Sequence, residues 1–361
     1  MNRVAHLILL LVAALALTAH RPSFAADVVL RGAGATFPYP IYAKWAAEYK
    51  RATGVDIRYE AVGSGAGIDL VGHGMVDFGA SDVPLAAEEL QRAGAMQFPA
   101  VIGGVVPVMN VGGIKSGELR LSGQVLAEIY LGKITKWNDP AISALNPGLH
   151  LPSTFITVVH RSDASGTTFL WSEFLSRSSA EWRAKVGADK VLAWPIGVTG
   201  AGNEGVASSV QRTKSSIGYV EYAYAREHNL TTASVRNRDG AFVQPGEASF
   251  EAAARAAQWR RSADLYQLLI DQAGAASWPI AGGTFILLRT AADQPARSLE
   301  VLKFFDWALH DGQRFAIDLD YVPLPAPALD LIDSVWADQV RSASGGAVWT
   351  RRASSHRPEH R

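Results

Sequence analysis

From residue 27 onward, short β-like runs alternate with helical periods, and the joins between them are rich in glycine and hydroxyl residues. DVVLRGAG leads into IYAKWAAEYKRATG, VDIRYEAVG into a short helical stretch ending at Gly74, and VDFGASD closes the series. A chain that alternates in this way is predicted to fold as α/β with a largely parallel sheet. Within 41–54, Ile41, Trp45 and Tyr49 recur every four positions and Gly54 supplies a stop, the pattern of a helix with one buried face. The alternation continues beyond Val101, through the helical LSGQVLAEIYLG and the extended FITVVHR to SSIGYVEYAYA, which predicts a second α/β unit. Further on, TFILLR reads as a buried strand and SLEVLKFFDWALH as an amphipathic helix able to pack back on the first unit. The final SASGGAVWTRRASSHRPEHR is polar and rich in Gly, Ser and Arg, and is expected to stay unpacked.

Charge restricts the partners. The 361 residues carry a formal charge of zero, but two arginines fall in the first 25 and five arginines with one glutamate fall in the last 21. Residues 26–340 therefore hold 27 bases against 33 acids, and a mildly acidic body does not fit a nucleic-acid binder. Any anion must be held by local dipoles and one or two fixed cations. The start, MNRVAHLILLLVAALALTAHRPSFA, has a basic end, an apolar core from Val4 to Leu17 and small residues at Ser23 and Ala25. It reads as a signal peptide over 1–25, cleaved after Ala25, and is too short and too interrupted for a membrane span. With no cysteine in the chain, disulfides, thiolate metal sites, a cysteine nucleophile and a lipid anchor on an N-terminal cysteine are excluded. The expectation is a free periplasmic protein.

Four turns carry the chemistry. RGAGATFPYP, 31–40, follows a strand and precedes a helix, so its glycines let the backbone turn tightly and present N–H groups beside the Thr36 hydroxyl. It lacks the third glycine of a dinucleotide fingerprint, because Phe37 stands there. Read alone, it is equally a helix capped by Thr36. VGSGAG, 62–67, places Ser64 between glycines, but Val62 and Ala66 occupy the positions a nucleophile elbow reserves for glycine. FGASDVPLAAEEL puts Asp82 two residues before Pro84, where it reads either as a helix cap or as an acceptor facing an anion that carries a proton. HRSDASGTTF, 160–169, holds Arg161 as a forked cation, Asp163 to orient it, and Ser165, Gly166 and Thr167 at a helix start. A hydrolase reading would use His160 as the base for Ser165 or Thr167, and five residues along an extended segment place it poorly. Capping explains Ser165 and Asp163 but leaves Arg161 without a task. In open α/β sheets such strand-to-helix turns line the ligand crevice.

The segments GAGATFPYPIYAKW, VGSGAG, FGASDVPL, FPAVIGGVV, IYLGKITKWND, VVHRSDASGTTF, WPIG, IGYVEYAYA, WPI with TFIL, and VLKFFDWA resemble the periplasmic phosphate-binding proteins of high-affinity phosphate ABC importers. The likeness runs from about Arg31 to Trp336. It implies a type II periplasmic-binding-protein fold, in which two α/β lobes joined by crossing strands close on a dehydrated phosphate in the cleft between them. Carried over residue by residue, it implies first-lobe contacts from Thr36, from the backbone N–H of Phe37 and from Ser64, with Asp82 accepting the phosphate proton. From the other lobe come Arg161, held by Asp163, and Ser165, Gly166 and Thr167. The division that goes with this fold is 26–110 plus 280–340 for the first lobe, 111–279 for the second and 341–361 for a flexible tail. The expected partners are inorganic phosphate and the membrane permease of the importer, with no cofactor and no metal, and the expected state is a monomer. Phosphate near neutral pH keeps a proton and sulfate has none, so Asp82 would admit the first and repel the second.

Overall fold

The computed structural model describes residues 29–259 and 265–351; the expected signal peptide, 1–25, lies outside them. The first unit runs β1 (Val29–Gly34), α1 (Tyr39–Thr53), β2 (Asp56–Ala61), α2 (Ser64–Gly72), β3 (Phe78–Ser81) and α3 (Ala87–Ala93), and leads into β4 (Ala95–Asn110). The second runs β5 (Arg120–Leu121), α4 (Gly123–Tyr130), α5 (Pro140–Leu145), β6 (Thr157–Arg161), α6 (Gly166–Ser178), α7 (Ala180–Lys185), β7 (Val198–Gly200), α8 (Gly202–Arg212), β8 (Ser216–Glu221) and α9 (Tyr222–Glu227). After the short strands β9 (Thr231–Thr232), β10 (Ser234–Arg236) and β11 (Phe242–Val243) come α10 (Glu247–Ala256), β12 (Ala281–Arg289) and β13 (Ala291–Ala292). The helices α11 (Pro295–His310), α12 (Gln313–Asp318) and α13 (Ala326–Gln339) and the strand β14 (Arg341–Ser342) complete the chain.

The main sheet has the order β2-β1-β3-β12-β4-β8-β6-β7. The pairs β1–β2, β1–β3, β6–β8 and β6–β7 are parallel, as the alternation predicts, while β12 and β4 enter antiparallel. The sixteen residues of β4 bind the halves together: Ala95–Gly104 pair with β12, and Val105–Asn110 pair with β8. Where β4 changes partners, the returning chain is bonded to it, Val105 N–H donating to Ile280 C=O at 2.9 Å and Trp278 Nε1 donating to Val105 C=O at 3.0 Å. The change falls between Gly104 and Val105, six residues before the expected lobe limit at 110. Turns follow the carboxyl ends of β1, β2, β3 and β6, and the candidate site residues sit on these strand ends, on the turns or in the helix starts after them.

Each half has an aromatic core. Tyr42, Phe78, Phe98, Phe304 and Phe305 interlock in the first, so α11 does pack back on the first unit. Trp171 stacks on Tyr219 at 5.0 Å between centroids in the second, with Tyr130 and Trp194 against them. Such contacts add to the burial of large rings, which dominates the stability of each half.

The expectation of an unpacked tail fails from 341 to 351; residues 352–361 lie outside the described part. Arg341–Ser342 pair in parallel with Ala291–Ala292, and Trp349 is buried with its ring edge-on to Trp336 at 5.3 Å. Its indole N–H donates to Asp333 Oδ1 at 2.6 Å. One tryptophan outweighs the polar composition around it, because a single large ring buries enough apolar area to order a short segment. Replacing Trp349 by alanine is expected to cost about 3 kcal/mol, the low end for a tryptophan truncation because a chain end can collapse into the gap; urea unfolding of the ligand-free protein reads this directly.

Candidate functional site

The site forms where the first turns of α2, α6 and α8 meet the ends of β3 and β6, and its polar side chains are buried. Asp82 is 1% exposed and Arg161 4% exposed. Asp82 does not cap a helix: α3 starts at Ala87, and the Ala86 N–H is met by Glu89 Oε2 at 2.9 Å. The strand register explains its partner. Phe285 pairs with Ser81 across β12 and β3, so Thr284 falls beside Asp82, and its hydroxyl donates to Asp82 Oδ1 at 2.9 Å.

Burial disfavours the ionised carboxylate and pushes Asp82 up from 3.8 to about 7. The Thr284 hydrogen bond, the charge of Arg161 and the Ser64 hydroxyl oppose this and are outweighed. Asp82 is therefore held at the edge of protonation near neutral pH.

Arg161 faces it from the other half, in the last position of β6. Its Nε donates to Asp163 Oδ1 at 2.8 Å and Nη2 donates to Oδ2, a two-pronged pair that fixes the guanidinium plane. Asp163 also accepts from Gly202 N–H at 3.0 Å. Its burial would raise its pKa, but the Arg161 hydrogen bonds and charge and the Gly202 amide hold it below the ordinary value. The remaining arm, Nη1, reaches the Thr167 hydroxyl at 3.3 Å.

The hydroxyls and glycines predicted from the sequence come together. Ser64 Oγ accepts from Asp82 N–H at 3.2 Å and from Gly166 N–H at 3.1 Å, which ties the two halves. Gly166 has no room for a side chain, since an added Cβ would lie 2.5 Å from Ser64 Oγ and 2.6 Å from Asp82 Oδ2. Ser165 Oγ caps α6 by accepting from Thr168 N–H at 3.1 Å, so the capping reading holds for this residue. It does not hold for Thr36, because α1 begins after Pro38 with no side-chain cap. The Thr36 carbonyl accepts instead from Tyr224 OH at 2.7 Å. Phe37 buries its ring in the first half, and its carbonyl accepts from Tyr321 OH at 2.7 Å. His160 serves no hydroxyl of the site: its ring stacks on Trp194 at 4.6 Å, its Nδ1 lies 3.2 Å from Arg161 C=O, and burial lowers its pKa.

Two members of the site were not singled out from the sequence. Thr284 was read only as part of the buried strand TFILLR, although a lone hydroxyl in an apolar strand was a signal. Asn203 is fully buried and contacts Thr36 Oγ1 and Thr167 Oγ1. Its segment VTGAGNEG repeats the strand–glycine–helix pattern of the other turns. A cavity of about 910 Å³ opens beside Thr36, Asp163 and Gly202, and Glu204, Glu227 and Asp320 stand around it.

An enclosed carboxylate with a raised pKa makes stability depend on pH. A folded-state value above the unfolded one favours folding fully below 3.8, and this advantage is lost as the pH rises toward about 7. Above that range the buried charge is a liability with an upper limit of about 4 kcal/mol. Ligand-free Asp82→Asn is therefore expected to melt above the parent protein at pH 8, and the gap should shrink toward zero near pH 4 in thermal scans.

The model of the PBP superfamily domain matches residues 21–311. The phosphate-binding protein PstS of Pasteurella multocida is 50% identical over 320 residues, covering 89% of this chain and 93% of that one. The protein of the same name from Haemophilus influenzae is 51% identical over 318 residues, covering 88% and 95%. Among solved structures, a phosphate-binding protein from Stenotrophomonas maltophilia superposes with a TM-score of 0.68 at 19% identity, over 90% of this chain and 99% of that one. A high-affinity periplasmic phosphate-binding protein bound with phosphate gives 0.66 at 21% identity, over 86% and 93%. The structural likeness shows the fold, two α/β lobes about a cleft, and half-identity over nine-tenths of the chain shows the rest: this chain belongs to the phosphate-binding protein family of the PBP superfamily.

Proposed function

We infer that this protein takes up inorganic phosphate in the cleft between its lobes and hands it, chemically unchanged, to the membrane permease of an ABC-type importer. Kinship at half-identity with proteins named for phosphate binding supports the ligand and the non-enzymatic role. We assign the phosphate shell to Thr36, the Phe37 N–H, Ser64, Asp82, Arg161, Ser165, Gly166 and Thr167, with Asp163 orienting Arg161. The observation that carries this assignment is the pairing of one buried acceptor, Asp82, with one buried fixed cation, Arg161, among hydroxyls and amides.

Each group has a physical task. The guanidinium neutralises part of the anion's charge, and the helices that start at Ser64, Gly166 and Gly202 set the positive ends of their dipoles beside it, although the Gly166 and Gly202 N–H groups themselves bond to Ser64 and Asp163. Asp82 needs a proton between itself and the ligand. Hydrogen phosphate brings one and sulfate does not, so sulfate facing the ionised Asp82 sets two acceptors against each other at a buried position.

Among the described residues no helix is long and apolar enough to cross a membrane. A cleaved leader at 1–25, a periplasmic location and a monomeric state complete the reading. We place the lobe boundary at the crossings Gly104–Val105 and Ile280–Ala281, where β4 changes partners and the chain returns.

The test is titration calorimetry with phosphate and sulfate on protein freed of ligand by unfolding and refolding. One-to-one phosphate binding without sulfate heat is the expected result. Asp82→Asn should narrow the phosphate-to-sulfate ratio by 100-fold or more, on the order of the discrimination a buried hydrogen bond supplies, while phosphate affinity falls less. A variant that still excluded sulfate fully would remove the role given to Asp82.

A further inference from the structure

Three hydroxyls of the site share a property that no single contact reveals. A hydroxyl has two acceptor positions and one proton. Ser64 Oγ accepts from two backbone amides, those of Asp82 and Gly166, and its 3.5 Å approach to Asp82 Oδ2 is too long to hold its proton firmly. Thr36 Oγ1 accepts from Asn203 N–H at 3.3 Å and from Asn203 Nδ2 at 2.8 Å. Thr167 Oγ1 accepts from Arg161 Nη1 at 3.3 Å and from Asn203 Nδ2 at 3.2 Å. Every acceptor position is filled from the protein. The only capacity left to each oxygen is to donate.

For two of the three, the filling group is one side chain. Asn203 lies in the first turn of α8, fully buried, and its amide cannot be turned around. Its Oδ1 accepts from Glu221 N–H at 2.9 Å, so a flipped amide would bring NH₂ against N–H. Both Nδ2 protons are thereby directed at the two threonines. They belong to different lobes, Thr36 following β1 and Thr167 lying in α6, so the arrangement exists only when the lobes have closed.

We propose that Asn203 is a positioning residue for phosphate: its amide fills the acceptor sites of Thr36 and Thr167, so that in the closed protein both hydroxyl protons can go only to the ligand. Thr36 and Thr167 then join Ser64 as donors, facing Asp82 as the acceptor. The proposal rests on the phosphate-shell assignment given above. It differs from a packing role because it acts through two hydroxyls, and removing those hydroxyls must remove its effect.

Phosphate affinity by calorimetry for Asn203→Ala, Thr36→Val, Thr167→Val and their combinations tests this. Asn203→Ala is expected to weaken phosphate by about 10- to 100-fold, the size of one or two hydrogen bonds left unoriented. In the Thr36→Val/Thr167→Val background the same substitution should cost less than about 2-fold. An equal factor in both backgrounds would overturn the proposal, since Asn203 would then act elsewhere. If Thr36→Val and Thr167→Val themselves left phosphate binding intact, the shell assignment would fall and take this inference with it. Asn203→Asp, nearly identical in shape, guards against a variant that does not fold. Its carboxylate would draw a threonine proton away from the ligand, so it should be weaker than Asn203→Ala and recover toward acid pH as that carboxylate protonates. Phosphate binding by Asn203→Asp within about 3-fold of the parent would also overturn the proposal.

Discussion

The carboxyl of Asp82, 1% exposed and set among hydroxyls with Arg161 nearby, is the constraint to which the rest of the site answers. Burial alone would leave it an isolated charge, whose removal from water is among the largest penalties in a folded protein. The chain meets this with one hydroxyl from β12, the Ser64 hydroxyl and the field of Arg161, and these still leave the pKa near neutrality rather than in the acid range. A carboxyl in that condition is neither a firm anion nor a firm acid. It is suited to share one proton with a ligand that also titrates near neutral pH, and it gains from having that proton delivered.

The second constraint is the charge around the cleft. The body is acidic, and Glu204, Glu227 and Asp320 stand at its mouth, so no long-range field draws an anion in. Attraction must be made at contact, by oriented N–H and O–H groups that act over one bond length and need no net positive charge. This explains why the site uses a single guanidinium, and why that guanidinium is held by Asp163. The pair is neutral as a unit and rigid as a donor, so Arg161 contributes geometry as well as charge. The Arg226–Asp320 bridge at 3.2 Å also spans the mouth, but both side chains reach solvent and it contributes little.

Much of this was legible in the sequence because it depends on local pattern. The period of Ile41, Trp45 and Tyr49 and the stop at Gly54 depend on neighbours within one helix, and both stand in the structure as predicted, with Gly54 in the αL conformation. The turns around Ser64, Asp82 and Arg161 were found for the same reason: small residues between a strand and a helix are visible in any short window. What escaped were facts of register and of long-range contact. Thr284 meets Asp82 only because β12 runs antiparallel to β3 with Phe285 opposite Ser81. Asn203 meets Thr36 across 167 positions of chain. The packing of 341–351 is hidden because average polarity conceals one tryptophan, and a long apolar strand such as β4 gives no sign in its sequence of where its partner changes.

Closure of the cleft follows from where the bonds between the lobes are anchored. Gly166 brings backbone against Ser64 and Asp82 at a spacing that excludes even a methyl group, which sets how near the lobes come. Tyr224 and Asn203 hold Thr36 from the second lobe, and Tyr321 holds the Phe37 carbonyl while its hydroxyl also lies 2.9 Å from Glu221 Oε2. A phenol has one proton and a carbonyl none, so both Tyr321 contacts are made at once only if Glu221 carries a proton, in keeping with its burial and raised pKa. The loop that would present the Phe37 N–H to phosphate is thus fixed from both sides at once. On the proposed assignment, a ligand bridging Asp82 and Arg161 would add to these contacts between the lobes, so that its affinity and the closed population would rise together as one equilibrium.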